Sequence, residues 1–268
     1  MRKILLLIAF IALLSCERNK ITGSKQLLLV SDGEMASMSL TEYQKVISSS
    51  KVLSPATNKN AAMVKKVSDR LIYAITKYYN ESNLADELAN YKWEVNLIEE
   101  NTVNAWCMPG GKIVVYTGIL PVTQNEAALA IVMGHEITHA LAKHGAARMS
   151  ESMVAQFGSA ALSQLIRDKP AETQNLFNIA VGVGTNVGIL LPHSRKNESE
   201  ADKFGLRYAA LAGYDPKEAI AFWQRMSKLG GAQKPPVFLS THPTDEQRIA
   251  DLQAIMEETM KTYYKPVK

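Results

Sequence analysis

The stretch Met133-Gly134-His135-Glu136-Ile137-Thr138-His139 constrains this chain more than any other, because its spacing has a use on a helix. Residues i and i+4 of an α-helix share one face, with side chains about 5–6 Å apart, so His135 and His139 can aim both imidazoles at one metal ion. Glu136 is turned off that line by one residue, which places it beside the ion where a water needs a general base. Ala128, Ile131, Val132, Ile137, Ala140 and Leu141 make the surrounding segment apolar. They predict a largely buried helix from about Glu126 to Arg148 that holds the ligands rigidly. The competing reading, two core histidines without an ion, does not account for the glutamate between them.

At 268 residues and 47% hydrophobic, the chain suits one large domain with a sizeable core. Its net charge of +4 includes Arg2 and Lys3 at the start, and no dense basic patch interleaved with aromatics follows, which argues against a nucleic-acid partner. Arg2-Lys3, the apolar run from Ile4 to Leu14 and then Ser15-Cys16 read as an export signal, too short to span a bilayer. Leu13-Leu14-Ser15-Cys16 resembles the bacterial lipobox, in which the cysteine carries the lipid, although Leu14 is a less usual residue at its place. A plain secretory signal with an incidental cysteine is the alternative, and both readings export the protein. The expected organisation is a lipoprotein signal peptide over 1–15, a lipid anchor and tether over 16–30, and one domain over 31–268. With Cys16 lipidated, Cys107 lacks an intramolecular partner, so the fold must hold without a disulfide. Phe177 to Leu191 comes nearest to a membrane helix but carries Asn178, Gly182, Gly184, Asn186 and Gly188. The membrane would then be reached through the lipid alone.

Ser31-Asp32 offers an N-cap for a helix to about Ser49, and Val64, Val67, Leu71, Ile72 and Ile75 mark another over 60–79. From Lys92 to Gly118 the period shortens: Trp93, Val95 and Leu97 alternate with polar residues, and Lys112-Ile113-Val114-Val115-Tyr116 follows the turn residues Pro109-Gly110-Gly111. These predict a small antiparallel sheet just before the metal helix, one edge of which either borders the cleft and pairs with an extended peptide or serves as scaffold. Helices follow over 153–167, 171–180 and 198–211, another after Asp215-Pro216, and a last one opened by the capping box Thr244 and Gln247. The class is α+β, mainly helical.

A catalytic zinc has three protein ligands and one open position, so two histidines need a third partner. Glu198 is the candidate, with Asp202 four residues on to accept the outward N–H of a ligand histidine. Glu200 competes with it but has Phe204 rather than a carboxylate four residues on. Acidic residues also favour a helix's first turn for dipole reasons alone.

Taken together, H-E-x-x-H and Ser194-Arg195-Lys196-Asn197-Glu198-Ser199-Glu200-Ala201-Asp202 resemble the gluzincin peptidases related to the CAAX-processing, HtpX-type and mitochondrial Oma-type proteases, most of all their bacterial periplasmic or lipoprotein branch. Thr22 to Leu27, Asn104 to Gly111 and Ser240-Thr241-His242-Pro243 add to the resemblance, which covers nearly the whole exported chain. It implies a zincin-like fold, one zinc per chain held by His135, His139 and Glu198, and Glu136 as catalytic base. It further implies that Asn104 to Tyr116 borders the substrate, nominating Pro109, Gly110, Gly111 and Ile113, and that the His242 loop lies over the cleft. There His242 would steady an oxyanion or latch the open position; a loop-capping role is its alternative. Arg248 is open between pairing with a site carboxylate and a surface role, His144 is read as structural, and His193 is unassigned. His193, Trp106 and Cys107 depart from the residues common in relatives, which bears on subsites and not on the metal.

The implied activity is zinc-dependent hydrolysis of peptide bonds in misfolded or misassembled envelope polypeptides. An assembly factor that holds unfolded outer-membrane chains without cutting them is the competing reading, and Glu136 speaks against it as the sole function. A structural zinc site would have four closed ligands, often cysteines, and no cysteine cluster exists here.

Overall fold

A computed structural model of the chain describes residues 16–157, 170–181, 194–230, 236–242 and 246–266. The expected leader over 1–15, residues 158–167 of the helix expected over 153–167, and His193, Pro243 and Thr244 lie outside these residues.

The segment expected to be a tether is folded. β1 (Cys16–Arg18) pairs antiparallel with β2 (Lys25–Leu27). Its polar composition is used in the turn: the Asn19 side chain accepts from the backbone of Ile21 and Thr22, and Gly23 takes φ +74°. The Gln26 side chain is buried and donates to Ala142 O at 2.7 Å, while Leu29 N donates to Ser150 Oγ at 2.9 Å. Val30 then joins a core of Met35, Ala146, Met149, Met153 and Leu176.

α1 (Asp32–Ser49) starts at the expected Ser31 cap, which forms a capping box with Glu34. α2 (Lys59–Glu81) starts where the Asn58 side chain accepts from Asn60 N and Ala61 N, and buries Val64, Val67, Leu71, Ile75 and Tyr79. β3 (Val52–Leu53), β4 (Glu94–Ile98), β5 (Ala105–Met108) and β6 (Lys112–Tyr116) form a sheet in the order β3-β4-β6-β5. The α+β class holds, with one difference in the sheet: β4 and β6 are parallel, whereas β3–β4 and β5–β6 are antiparallel. The tight turn at Pro109–Gly111 makes β5 and β6 a hairpin, and the chain after β4 passes beyond β6 before β5 begins, which leaves β5 at the edge. Alternation reports which faces are buried and is silent on strand direction.

After a short α3 (Leu120–Thr123), α4 (Glu126–Leu141) begins at the Asn125 cap, whose side chain accepts from Ala128 N at 2.8 Å. It carries both histidines and is buried from Ala128 to Leu141. The single helix expected to reach Arg148 is broken: Lys143 is left-handed at φ +57°, and α5 (His144–Phe157) starts in a new direction. α6 (Pro170–Val181) packs on α5, and α7 (Arg195–Leu211), capped by Ser194, packs on α4 more extensively than any other described pair of elements. The crossing of α4 and α7 is glycine on glycine. A Cβ on Gly134 would lie 2.7 Å from Gly205 O, and one on Gly205 would lie 2.6 Å from His135 N. Gly213 (φ +80°) turns the chain after α7, and α8 (Glu218–Gly230), α9 (Val237–Thr241) and α10 (Glu246–Thr262) complete the described helices. Among the described residues, no helix is long and apolar enough to cross a membrane.

Candidate metal centre

Because no side chain separates α4 from α7 at Gly134 and Gly205, Glu198 and Asp202, one turn apart on α7, reach the face of α4 that carries His135 and His139. His135 Nε2 lies 3.1 Å from His139 Nε2 and 3.2 Å from His242 Nδ1. Glu198 Oε1 is 3.3 Å from His139 Nε2 and 3.0 Å from His242 Nδ1. One ligand atom from each of His135, His139, Glu198 and His242 lies within 4.8 Å of all the others, and all four residues are buried.

These atoms fit a cation. Three ring nitrogens and a carboxylate oxygen converge, and a proton on one nitrogen can satisfy only one contact, leaving the other lone pairs facing each other. An ion at the centre satisfies them together, and imidazole nitrogen with a single carboxylate is a donor set that zinc takes. The tautomer agrees. Asp202 Oδ1 is 2.9 Å from His135 Nδ1, so the proton sits on Nδ1 and Nε2 presents its lone pair to the centre. Burial lowers the pKa of His135, opposed by Asp202, and holds that of His139 well below the usual value. Both rings are therefore neutral at neutral pH, as ligands must be.

The support comes from α10. Arg248 is buried with its guanidinium 3.4 Å from the centroid of the Trp223 ring. Its Nε and Nη2 each donate to Asp202 at 2.7 Å, and Nη1 is 2.8 Å from Glu198 Oε2. Of the two roles open to it from sequence, the structure shows pairing with site carboxylates. Burial would raise the Asp202 and Glu198 carboxyls, yet Arg248 and the histidines hold Asp202 below and Glu198 well below the ordinary range. Glu136 behaves differently. Burial, with Glu198 adding to it and His242 opposing it, pushes its carboxyl up to about 7. Its Oε1 has no hydrogen-bond partner among the described residues and faces His242 Nε2 at 3.5 Å.

His242 lies inside the cluster. It caps α9, donates its backbone N–H to Phe238 O at 2.9 Å and stacks on the Phe238 ring with centroids 4.6 Å apart. Against the lowering effect of burial, Glu198 and Glu136 raise its pKa. His144 is also nearer than the sequence suggested. The break at Lys143 swings it to His139, Nδ1 to Nδ1 at 2.9 Å, a contact that a continuous helix could not make from position i+5. Glu200, the competing ligand, faces away from the cluster, toward His144 and Ser24.

The nominated substrate residues are not brought to the cluster. Gly110 and Gly111 form the β5–β6 turn at φ +85° and +84°, and a Cβ on Gly111 would meet the Trp93 ring at 2.8 Å. Pro109 and Gly110 line a separate cavity of about 240 Å³ with Asp32, Glu87 and Lys143, beyond the end of α4. Ile113 is buried on the inner strand β6, paired on both sides. The edge strand β5 is the part of this region that comes near Glu136: burial raises the Cys107 thiol, and the Glu136 charge adds to it. Cys16 begins β1.

A sequence model of the family described as Peptidase family M48 matches residues 60–256. The chain is 38% identical over 178 residues to the mitochondrial metalloendopeptidase OMA1 of Arabidopsis thaliana, covering 66% of this chain and 34% of that protein. It is 29% identical over 255 residues to the human mitochondrial metalloendopeptidase OMA1, covering 91% and 47%. To the beta-barrel assembly-enhancing protease of Escherichia coli it is 30% identical over 165 residues, covering 58% and 32%. The chain thus spans a third to a half of the length of these relatives. The matched region runs from α2 into α10 and holds every ligand atom of the cluster, so by sequence and by the side chains gathered at its centre the chain belongs to peptidase family M48.

Proposed function

We propose that the protein is a zinc-dependent endopeptidase of the bacterial cell envelope, held to the membrane by lipid on Cys16, that hydrolyses peptide bonds in misfolded or misassembled envelope polypeptides. The observation that carries the reading is the buried convergence of His135, His139 and Glu198 beside Glu136. Zinc bound there supplies a Lewis acid that polarises the scissile carbonyl and brings the pKa of a water toward 7. Glu136, buried with one carboxylate oxygen unpartnered, takes the proton of the attacking water and returns it to the leaving amine. His135 and His139 hold their lone pairs inward, Asp202 fixing the first, and Arg248 keeps Asp202 and Glu198 ionised and in place. His242 acts as a latch: its Nδ1 stands 3.0 Å from Glu198 Oε1 and 3.2 Å from His135 Nε2, where an incoming carbonyl and water need room.

The test is zinc content and casein cleavage of the purified protein beside Glu136→Gln and His242→Ala. The wild type should hold one zinc, the Gln variant should hold it and lose activity by about 10²–10⁴-fold, and the Ala variant should cleave faster than wild type. Cleavage retained in Glu136→Gln removes the assignment of the base. A second reading, an assembly factor that grips unfolded outer-membrane chains, draws on the closed arrangement around His242. Full complementation of a deletion strain by Glu136→Gln would favour it over proteolysis.

A further inference from the structure

We propose that Ser24, Glu200 and His144 form a hydrogen-bonded relay that sets the tautomer and orientation of His139, which makes the N-terminal hairpin a built-in buttress of the metal centre. The proposal rests on the zinc-binding reading above. His139 meets the cluster through Nε2, 3.1 Å from His135 Nε2 and 3.3 Å from Glu198 Oε1. A ligating Nε2 carries no proton, so the proton of a neutral His139 sits on Nδ1 and must be donated outward. The acceptor is His144 Nδ1 at 2.9 Å. With Nδ1 accepting, the His144 proton sits on Nε2, and the group 3.2 Å from Nε2 is Glu200 Oε2, a carboxylate that can only accept. Glu200 Oε1 in turn accepts from the Ser24 hydroxyl.

Each hydrogen bond has one allowed direction: the two imidazole bonds run outward from the metal to the Glu200 carboxylate, and the Ser24 hydroxyl donates to the same carboxylate from the other side. The opposite tautomer of His144 would set two N–H groups against each other at His139 and leave Glu200 facing a lone pair. His144 is fully buried, and the His139 and His144 rings meet edge to face with centroids 4.9 Å apart, which leaves little freedom for another arrangement. His135 therefore leans on α7 and α10 through Asp202 and Arg248, while His139 leans on α5 and the N-terminal hairpin. Besides the relay, Gln26 Nε2 on Ala142 O at the end of α4 and the Lys20–Glu87 ion pair place the hairpin, and Leu29 N on Ser150 Oγ holds the segment just after it. Ser24 lies within the turn-and-strand unit that begins at Cys16, so the part of the chain next to the proposed lipid touches the metal centre through three side chains.

The experiment measures zinc affinity of the full-length protein by competition with a chromophoric chelator, and the visible absorption of the cobalt-substituted form. His144→Leu should weaken zinc by about 10–100-fold and shift the cobalt bands. His144→Gln, whose amide can accept from His139 and donate to Glu200, should recover most of the affinity. Glu200→Ala and Ser24→Ala should weaken zinc in that order and by less. Unchanged affinity and cobalt spectrum in His144→Leu, or a Gln variant no better than Leu, would overturn the relay. If the His144 variants do not fold, the half-exposed end decides: zinc affinity unaltered in both Glu200→Ala and Ser24→Ala overturns it equally. A wild type that holds no zinc removes the metal-centre reading and the relay with it, whereas a zinc-loaded wild type with indifferent variants removes the relay alone.

Discussion

Arg248 shows how much of the site depends on residues that never meet the metal. It is a buried cation held by two buried carboxylates and the face of Trp223, and removing it leaves those carboxylates uncompensated. Replacement by Met, which keeps much of the volume, should cost about 3–5 kcal/mol in urea unfolding of the metal-free protein. The same pairing sets a pH dependence. Asp202 titrates below its ordinary value of 3.8 in the fold, Arg248 and His135 outweighing burial. Its contribution to stability is therefore complete above about pH 4 and is lost as pH falls from there toward the folded value. Urea midpoints taken between pH 6 and pH 2.5 should fall steeply only below about pH 4, and the fall should be shallower in Arg248→Met. Equal slopes in both proteins would deny Arg248 this role. In the sequence Arg248 was only one of two equal possibilities, because a residue one turn into a helix can face either way until the partner helix is known.

At the scale of elements, what was legible in the sequence is what lies within one helix. His135 and His139, and Glu198 and Asp202, are i and i+4 pairs whose faces follow from spacing. The Ser31 cap and the apolar stripe of Val64, Val67, Leu71 and Ile75 are equally local. Two things were not local. The break at Lys143 falls inside a run whose apolar pattern continues across it, and on an unbroken helix His144, five residues past His139, would face elsewhere, which is why it is read as structural from sequence. The parallel pairing of β4 with β6 depends on where the chain goes between Ile98 and Ala105, which side-chain alternation does not encode. The α4–α7 crossing joins the two legible halves, and it carries its own prediction. Gly205→Ala would drive a Cβ into the His135 backbone at 2.6 Å, with no flexible side chain to yield. Overpacking of this kind costs roughly 1–3 kcal/mol, and the shift falls directly on the ligands. Zinc affinity should drop by a larger factor than the unfolding constant changes, measured by chelator competition and urea denaturation of the same preparation. A loss of stability with unaltered affinity would separate the crossing from the metal site.

On the scale of the molecule, the metal should stabilise the assembly of elements that supply its ligands. The donors come from α4, α7 and the end of α9, so an ion that binds only the folded chain adds about 4 kcal/mol at a thousand times its dissociation constant. Thermal unfolding with excess zinc should occur roughly 10 °C above that in chelator, and the gap should close in a His135→Ala, His139→Ala double variant. The relation of the N-terminal segment to the core was hidden from sequence for a simple reason: Ser24 and Glu200 are 176 residues apart, and a polar stretch after a leader looks like a tether whether or not its polar groups are used.

The glycine crossing also decides which parts of the centre can part company. Two helices touching backbone to backbone at Gly134 and Gly205 have no side-chain layer that could shear, so His135, His139, Glu136 and Glu198 travel as one rigid body. His242 arrives instead on a five-residue helix, α9, whose hold on the rest includes the tilted contact of the Phe238 and Trp223 rings, centroids 5.9 Å apart, and the backbone bond from Phe238 N to Val103 O. On the latch role proposed for His242, opening the centre is like lifting a bolt from a fixed socket: the side chains on α4 and α7 stay still, and only the histidine has to move.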